Sequence, residues 1–238
     1  MIAETDAIIL HTIKYSETSV IAHIYTKEFG NGSYIMNSVR TNHSKMAMFQ
    51  PLSLVHITTY RKKDPKQIHR LSNIAFLQVP QNVTNNVVKS TIAMFAGEII
   101  DRIFSEEEQS YPLFEFLKNF VVLLENLESN YANLHILFLL HLTQHIGVFP
   151  KNNYNSTNKY FSLLLGEFVQ FSEENGTLNE DNSLLFLKIL ETNGIEDSIN
   201  LSQQDRQKLL AILLQYYDIH VCKTQNIKSF EILKMVFE

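Results

Sequence analysis

The stretch SVIAHIYTKEFGNGSYIMNS, residues 19–38, predicts a strand, a tight turn and a second strand. Residues 19–26 and 33–38 are rich in the β-branched and aromatic side chains that favour strands. Between them, Glu28-Phe29-Gly30-Asn31-Gly32 supplies glycine, which tolerates the positive φ that a tight reversal often needs. The stretch therefore predicts a β-hairpin.

The same pattern extends over the first 80 residues. Three more strands are predicted over residues 7–13, 52–60 and 67–76. Five short strands, with no helix of comparable strength among them, favour a small barrel such as an OB-fold. The pattern leaves an SH3-like barrel open as an alternative.

From Asn82 onward the hydrophobic period changes from two to about 3.6, which is typical of helices. Residues 111–127 form the strongest predicted helix, because their apolar side chains recur in one stripe and Pro112 suits a first turn. Further helices are predicted over residues 82–104, 131–147, 181–193, 202–219 and 227–236.

Pro80 marks the predicted domain boundary, because proline disfavours continuation of a strand or a helix. The prediction is an α+β fold, with a five-stranded OB-fold barrel over residues 1–80 and an all-α helical domain over residues 81–238. Residues 151–159 are predicted to form a surface loop, since they are mostly polar.

The formal net charge of −5 hides an asymmetry along the chain. Residues 1–80 hold nine Lys/Arg and five acids, a net charge of +4, whereas residues 81–238 hold eleven and twenty, a net charge of −9. A basic first third and an acidic remainder predict two surfaces with different partners.

A basic cluster, residues 61–66 (RKKDPK), falls where two predicted strands are joined. Its cations would follow phosphates, while Tyr60 or Tyr34 would stack on an unpaired base. The alternative is a solvated turn that keeps the protein soluble. The candidate DNA-binding residues are Arg40, Lys45, Tyr60, Arg61, Lys62, Lys63, Lys66 and Arg70.

No catalytic, metal or cofactor site is predicted. The chain lacks a GxGxxG motif, a P-loop and a GxSxG elbow, and residues 105–108 (SEEE) are interpreted as a solvated turn. The single cysteine, Cys222, cannot build a thiolate zinc site. His141 and His145, with His135 before them, have no glutamate between them and are interpreted as core or boundary histidines.

The N-terminus has no basic segment followed by a long apolar one, and no stretch approaches the roughly 18 apolar residues of a membrane span. A cytoplasmic protein without membrane association is therefore expected.

Several short segments resemble a known family. Residues 7–10 (AIIL), 14–19 (KYSETS) and 24–30 (IYTKEFG) are similar to an opening strand, a Tyr-x-Glu-x-Ser turn and a strand ending in Thr-x-x-x-Gly. Ser38-Val39-Arg40, Gln50-Pro51-Leu52, Ile146-Gly147-Val148-Phe149-Pro150 and Ser229-x-x-Ile232-Leu233 resemble its later motifs. The family is RecO, the bacterial recombination mediators, and the resemblance covers nearly the whole chain.

The resemblance implies an N-terminal OB-fold, a helical C-terminal domain and a role in DNA repair without catalysis. It implies binding of single- and double-stranded DNA, strand annealing, association with RecR, and contact with the C-terminal tail of single-stranded DNA-binding protein (SSB), so that RecA is loaded. The tail is expected to bind the helical domain. A scaffold with little DNA affinity is the main alternative, and an unrecognised hydrolase or nuclease is a third.

The chain departs from the family in two places. Ser38 replaces the usual glycine of a turn, so that turn is expected to differ. Many relatives carry four zinc-binding cysteines after the Gly-x-x-Pro motif, whereas residues 151–171 contain none. No structural zinc is therefore expected, and packing of Tyr160, Phe161, Phe168 and Phe171 is expected to take its place.

Overall fold

The computed structural model describes residues 1–41, 43–62, 67–104, 109–172, 176–225 and 227–237. Its contacts divide the chain into two compact units, Met1–Leu127 with Ile227–Val236, and Glu128–Asn226 with the last two residues. Among the described helices, none is both long enough and apolar enough to cross a membrane.

Seven strands, eight α-helices and one short 3₁₀-helix (Tyr131–Asn133) occur in the described ranges. The strands are β1 (Ile2–Lys14), β2 (Val20–Thr26), β3 (Gly30–Met36), β4 (Leu54–Tyr60), β5 (His69–Phe76), β6 (Tyr160–Ser162) and β7 (Glu167–Val169). The helices are α1 (His43–Ala47), α2 (Gln81–Asn85), α3 (Val87–Ile103), α4 (Tyr111–Asn126), α5 (Leu134–His145), α6 (Glu180–Leu190), α7 (Gln203–His220) and α8 (Lys228–Phe237).

The first five strands form a closed barrel in the order β1-β2-β3-β5-β4, and β1 pairs with β4 to complete it. All neighbours are antiparallel except β3 and β5, which are parallel. The five predicted strands and the OB-fold barrel are thus confirmed.

The barrel core follows from the period of two along its strands, because alternate side chains point to the same face. The inward-facing residues are Ala7, Ile9, Val20, Ala22, Ile24, Tyr34, Met36, Val55, Ile57, Leu71 and Ile74. Gly30 begins β3 with a φ of 69°, as the hairpin pattern predicts. The short helix α1 was missed, since five residues are too few to show a helical period.

Ser38, where the resemblance implied a glycine, has a φ of 58°. It therefore adopts the left-handed conformation that glycine would adopt without strain, at a cost of roughly 1 kcal/mol for a residue with a Cβ. The expected difference between this turn and that of the family stays a prediction.

The helices of the first unit are α1, α2, α3, α4 and most of α8. The single helix predicted over residues 82–104 is wrong, because Asn86 is extended and its side chain accepts a hydrogen bond from the Lys89 amide. Asparagine caps a new helix there more favourably than it continues the old one. The helix predicted over residues 111–127 is confirmed as α4, which begins beside Pro112. The domain boundary at Pro80 stays a prediction.

The second unit packs α5, α6 and α7 together, and the Tyr217 hydroxyl donates to the Leu139 carbonyl at 2.7 Å. It also contains the hairpin β6–β7, which was not predicted. Phe161 and Phe168 pack at 5.1 Å between ring centroids, as expected. Phe171 is 72% exposed, so the expectation that it joins this core is wrong.

Candidate nucleic-acid interface

One open groove on the barrel, with a volume of about 730 Å³, collects five of the predicted DNA-binding residues. It is lined by Met36, Asn37, Lys45, Tyr60, Arg61, Lys62, Arg70, Leu71 and Ser72. Among these described residues four are cationic and none is acidic. We call this surface the barrel groove.

Tyr60 and Arg70 lie at the centre of this arrangement because β4 and β5 pair them directly across the sheet. Tyr60 ends β4 and is 49% exposed. Arg70 is exposed and also pairs with Ile35, where β3 and β5 run parallel. An exposed aromatic ring beside a guanidinium offers a stacking face and a phosphate contact side by side.

Arg61 and Lys62 continue the groove beyond the end of β4. The Arg61 guanidinium lies over the Phe29 ring, with its Cζ atom 3.8 Å from the ring centroid, so its orientation is set by a cation–π contact. The Lys62 amide donates to the His69 Nδ1 atom at 3.2 Å, while its side chain is exposed. These contacts fix the backbone from which the Lys62 cation projects.

Lys45 reaches the groove from α1, where it is half-buried. Sequence reasoning missed Ser72, which also lines the groove. The period of the strand is the signal that would have found it, because Ser72 follows Arg70 by two residues on β5 and shares its face.

Tyr34 was the alternative to Tyr60 as the stacking residue, and its burial rules that alternative out. It is fully buried in the barrel, with its ring 5.3 Å from the ring of His69. A buried ring presents no face to a base.

Arg40 lies outside the described set that lines the groove. Its Nη1 atom donates to the backbone carbonyls of Ser16 and Glu17 at 2.7 and 2.8 Å, so the guanidinium fastens the turn between β1 and β2. Lys63 and Lys66 of the basic cluster lie outside the described residues. So do residues 105–108.

The histidines of α5 fit their predicted role as core or boundary residues. His135 is 1% exposed, and His141 is 2% exposed with its Nε2 atom 3.0 Å from the Thr192 hydroxyl. Burial lowers the pKa of both His141 and His145, and in His141 it outweighs the charges of Asp197 and Glu196. The lowered pKa values favour the neutral form of these two imidazoles in the fold.

Comparisons with known proteins agree along the whole chain. The family model for the N-terminal part of recombination protein O matches residues 1–79, and the model for its C-terminal part matches residues 85–229. A DNA repair protein RecO from Azobacteroides pseudotrichonymphae is 30% identical over 100% of both chains. Those from Flavobacterium psychrophilum and Christiangramia forsetii are 32% and 30% identical, over 98% and 100% of both chains.

Proposed function

We propose that this chain, which belongs to the RecO family of DNA repair proteins, binds single- and double-stranded DNA through the barrel groove and anneals complementary strands. The observation that carries the proposal is the pairing of exposed Tyr60 with Arg70 inside a groove that Lys45, Arg61 and Lys62 make cationic. No covalent step is part of the proposed activity.

The chemistry of the barrel groove suits a flexible single strand best. Lys and Arg contacts to phosphates give affinity that does not depend on sequence, because each contact releases counterions from the nucleic acid. A tyrosine ring stacks on any unpaired base. A duplex exposes phosphates but keeps its bases stacked, so it would use the cations and not Tyr60.

The family relationship also supports the rest of the proposal. The protein would act in the cytoplasm with RecR, bind the C-terminal tail of SSB through its helical domain, and help to load RecA. The tail would require an apolar surface beside a cation. Arg206 of α7 is one cation of the helical domain; it donates to Asn133 Oδ1 at 2.9 Å, and its Cζ atom lies 5.2 Å from the Phe237 ring centroid.

The first expected result is that the triple variant Lys45→Ala, Lys62→Ala, Arg70→Ala binds oligonucleotides more weakly and with a flatter salt dependence. Each lost phosphate contact lowers the slope of log K against log salt by about 0.7 to 0.9, so the slope should fall by roughly 2 to 3. Fluorescence anisotropy across a salt series measures both quantities.

The matched control removes three exposed cations elsewhere, with Lys188→Ala, Lys208→Ala and Lys234→Ala. Net charge changes equally in both triple variants, so an effect confined to the first one maps the contact. Wild-type protein with no salt-dependent DNA binding would favour the scaffold alternative. Adding RecR and the SSB tail peptide to the wild-type titration then asks whether either partner changes DNA affinity.

The second expected result concerns Tyr60. Tyr60→Ala should weaken single-strand binding by about 1 to 3 kcal/mol, roughly 5- to 150-fold, because one base loses its stacking face. The salt slope and duplex binding should stay unchanged, since no cation is removed. Tyr15→Ala is the control, because Tyr15 is 62% exposed and does not line the barrel groove. Equal losses for single strand and duplex would contradict base stacking by Tyr60.

A further inference from the structure

Two histidines face each other on the barrel because β1 and β2 pair His11 directly with His23. The register shifts between Ile9 and His11, so a bulge at this point turns His11 onto the same side as His23. Their imidazole rings lie 4.4 Å apart between centroids, and their side chains are 39% and 28% exposed.

Helix α3 brings a carboxylate to this pair. Gly97 packs closely against the bulge. A Cβ added at Gly97 would overlap the carbonyl oxygen of Leu10 and lie 3.2 Å from the carbonyl carbon of Leu10. Asp101 follows one turn later on the same face of α3. Its Oδ1 atom lies 2.9 Å from His23 Nδ1, and its Oδ2 atom lies 3.4 Å from His11 Nδ1.

The side chain of Asn31 also positions the Asp101 carboxylate. The Asn31 side-chain amide donates to Asp101 Oδ1 at 3.1 Å and to the Phe104 carbonyl at 2.5 Å. Burial raises the pKa of Asp101, but hydrogen bonds from His11, His23 and Asn31 and the charge of His23 hold it well below its usual value. The carboxylate is therefore ionised, with an oxygen directed at each imidazole.

We propose that His11, His23 and Asp101 bind a divalent transition-metal ion such as Zn²⁺ through two imidazole Nδ1 atoms and one carboxylate oxygen. The three donor atoms lie within 4.8 Å of one another. Zinc bonds of about 2.0 to 2.2 Å place tetrahedral ligands roughly 3.3 Å apart. The two nitrogen–oxygen distances, each to a different oxygen of Asp101, are 2.9 and 3.4 Å, so a small rotation of the carboxylate would bring one oxygen within ligand distance of both imidazoles. Asn31 would orient the carboxylate as an outer-shell partner.

The donor set also indicates what kind of site this is. Imidazole with one carboxylate suits Zn²⁺, Co²⁺ or Ni²⁺, whereas Ca²⁺ and Mg²⁺ prefer oxygen ligands alone. Three protein donors leave one position for water, and each donor is partly exposed, so the ion would exchange with solvent. This differs from the four-cysteine structural zinc of many relatives, and the fold would not require the ion.

The sequence gives no hint of this cluster, because its members are far apart along the chain. Metal motifs are recognised by short spacing, such as two histidines on one helical turn. Here a bulge, a cross-strand pair and a glycine contact bring the ligands together, and all three are features of the folded chain.

The test uses the full chain, stripped of metal with a chelator that is then removed. Titration with Zn²⁺ by calorimetry should give one site per chain, and Co²⁺ should produce the visible absorption of a low-coordinate complex. His23→Gln and Asp101→Asn should each lower the affinity at least about 100-fold, beyond the 10- to 100-fold typical of an outer-shell residue. Glutamine still donates a hydrogen bond to Asp101, so this variant separates ligation from structural support.

His56→Gln is the matched control, because His56 Nδ1 lies 2.8 Å from Asp6 Oδ1 elsewhere on the barrel. It should bind Zn²⁺ as the wild type does. Histidine NMR spectra of the wild type need no variant, and Zn²⁺ should shift His11 and His23 while His56 stays unmoved. No saturable binding to the wild type, or unchanged binding in both His23→Gln and Asp101→Asn, would overturn the proposal.

Discussion

Glu125→Ala is expected to lower the free energy of unfolding by about 3 kcal/mol or more, since several buried donors lose a charged acceptor at once. Glu125 of α4 is 6% exposed. Its Oε1 atom accepts from the amides of Gln81 and Asn82 at 2.9 and 2.7 Å, and Oε2 accepts from Val83 at 2.9 Å. These are the first amides of α2, which have no partner within the helix.

The magnitude follows from what alanine leaves behind. A hydrogen bond to a charged group contributes about 1.5 to 3 kcal/mol, and each buried donor left without a partner costs about 1 to 3 kcal/mol. The hydrogen bond that the Val83 amide donates to Glu125 is buried, while the hydrogen bonds donated by the Gln81 and Asn82 amides are partly buried. Water can reach the latter two in the variant, so the total should fall short of three full penalties.

Urea denaturation followed by circular dichroism measures this effect. Glu115→Ala is the matched control on the same helix, because the Glu115 side chain is 49% exposed and its ion pair with Lys27 spans 3.9 Å. Exposed substitutions of this kind stay within about 0.5 kcal/mol. If the two variants lost similar stability, Glu125 would not anchor α2.

The features that sequence predicted share a local cause. The barrel strands were found because inward residues alternate along each strand, as Val20, Ala22 and Ile24 do on β2. Helix α4 was found because its apolar stripe repeats every three or four residues. Both patterns record burial of one face and need no knowledge of what covers it.

The features that sequence missed depend on residues distant along the chain. The amides of α2 are capped by Glu125, more than forty residues later along the chain. No residue near Asn82 therefore indicates the hydrogen bond to Glu125. The sequence left Tyr34 open as an alternative to Tyr60, because its pattern does not tell which face of β3 points inward. Tyr60 and Arg70 were both predicted as contacts, but their pairing across β4 and β5 required the register of the sheet.

The second unit is expected to lose stability in acid through His135. This imidazole is fully buried, and burial, followed by the charge of Arg206, lowers its pKa to about 3, against a hydrogen bond to the backbone of Ala132 that raises it. Its ring stacks on Phe237 at 4.9 Å between centroids. A protonated imidazole there would be a buried cation beside a second cation.

The direction of the pH dependence follows from the lowered pKa. The unfolded chain protonates His135 near its ordinary pKa of 6.5, whereas the folded chain does so only near 3. Between these values the unfolded state binds more protons, so stability is full above about pH 6.5 and falls as the pH drops. By pH 4 the loss is on the order of 3 kcal/mol, at about 1.4 kcal/mol per pH unit.

His135→Phe should remove this part of the acid sensitivity, because phenylalanine keeps a ring against Phe237 and carries no titratable group. Urea denaturation at pH 7 and pH 4 should show a smaller loss for the variant than for the wild type, by about 3 kcal/mol. Carboxylates titrate equally in both proteins, so the difference isolates His135. His43→Phe, on the exposed surface of α1, should leave the wild-type loss unchanged. Equal losses in wild type and His135→Phe would mean that His135 becomes solvated before it protonates.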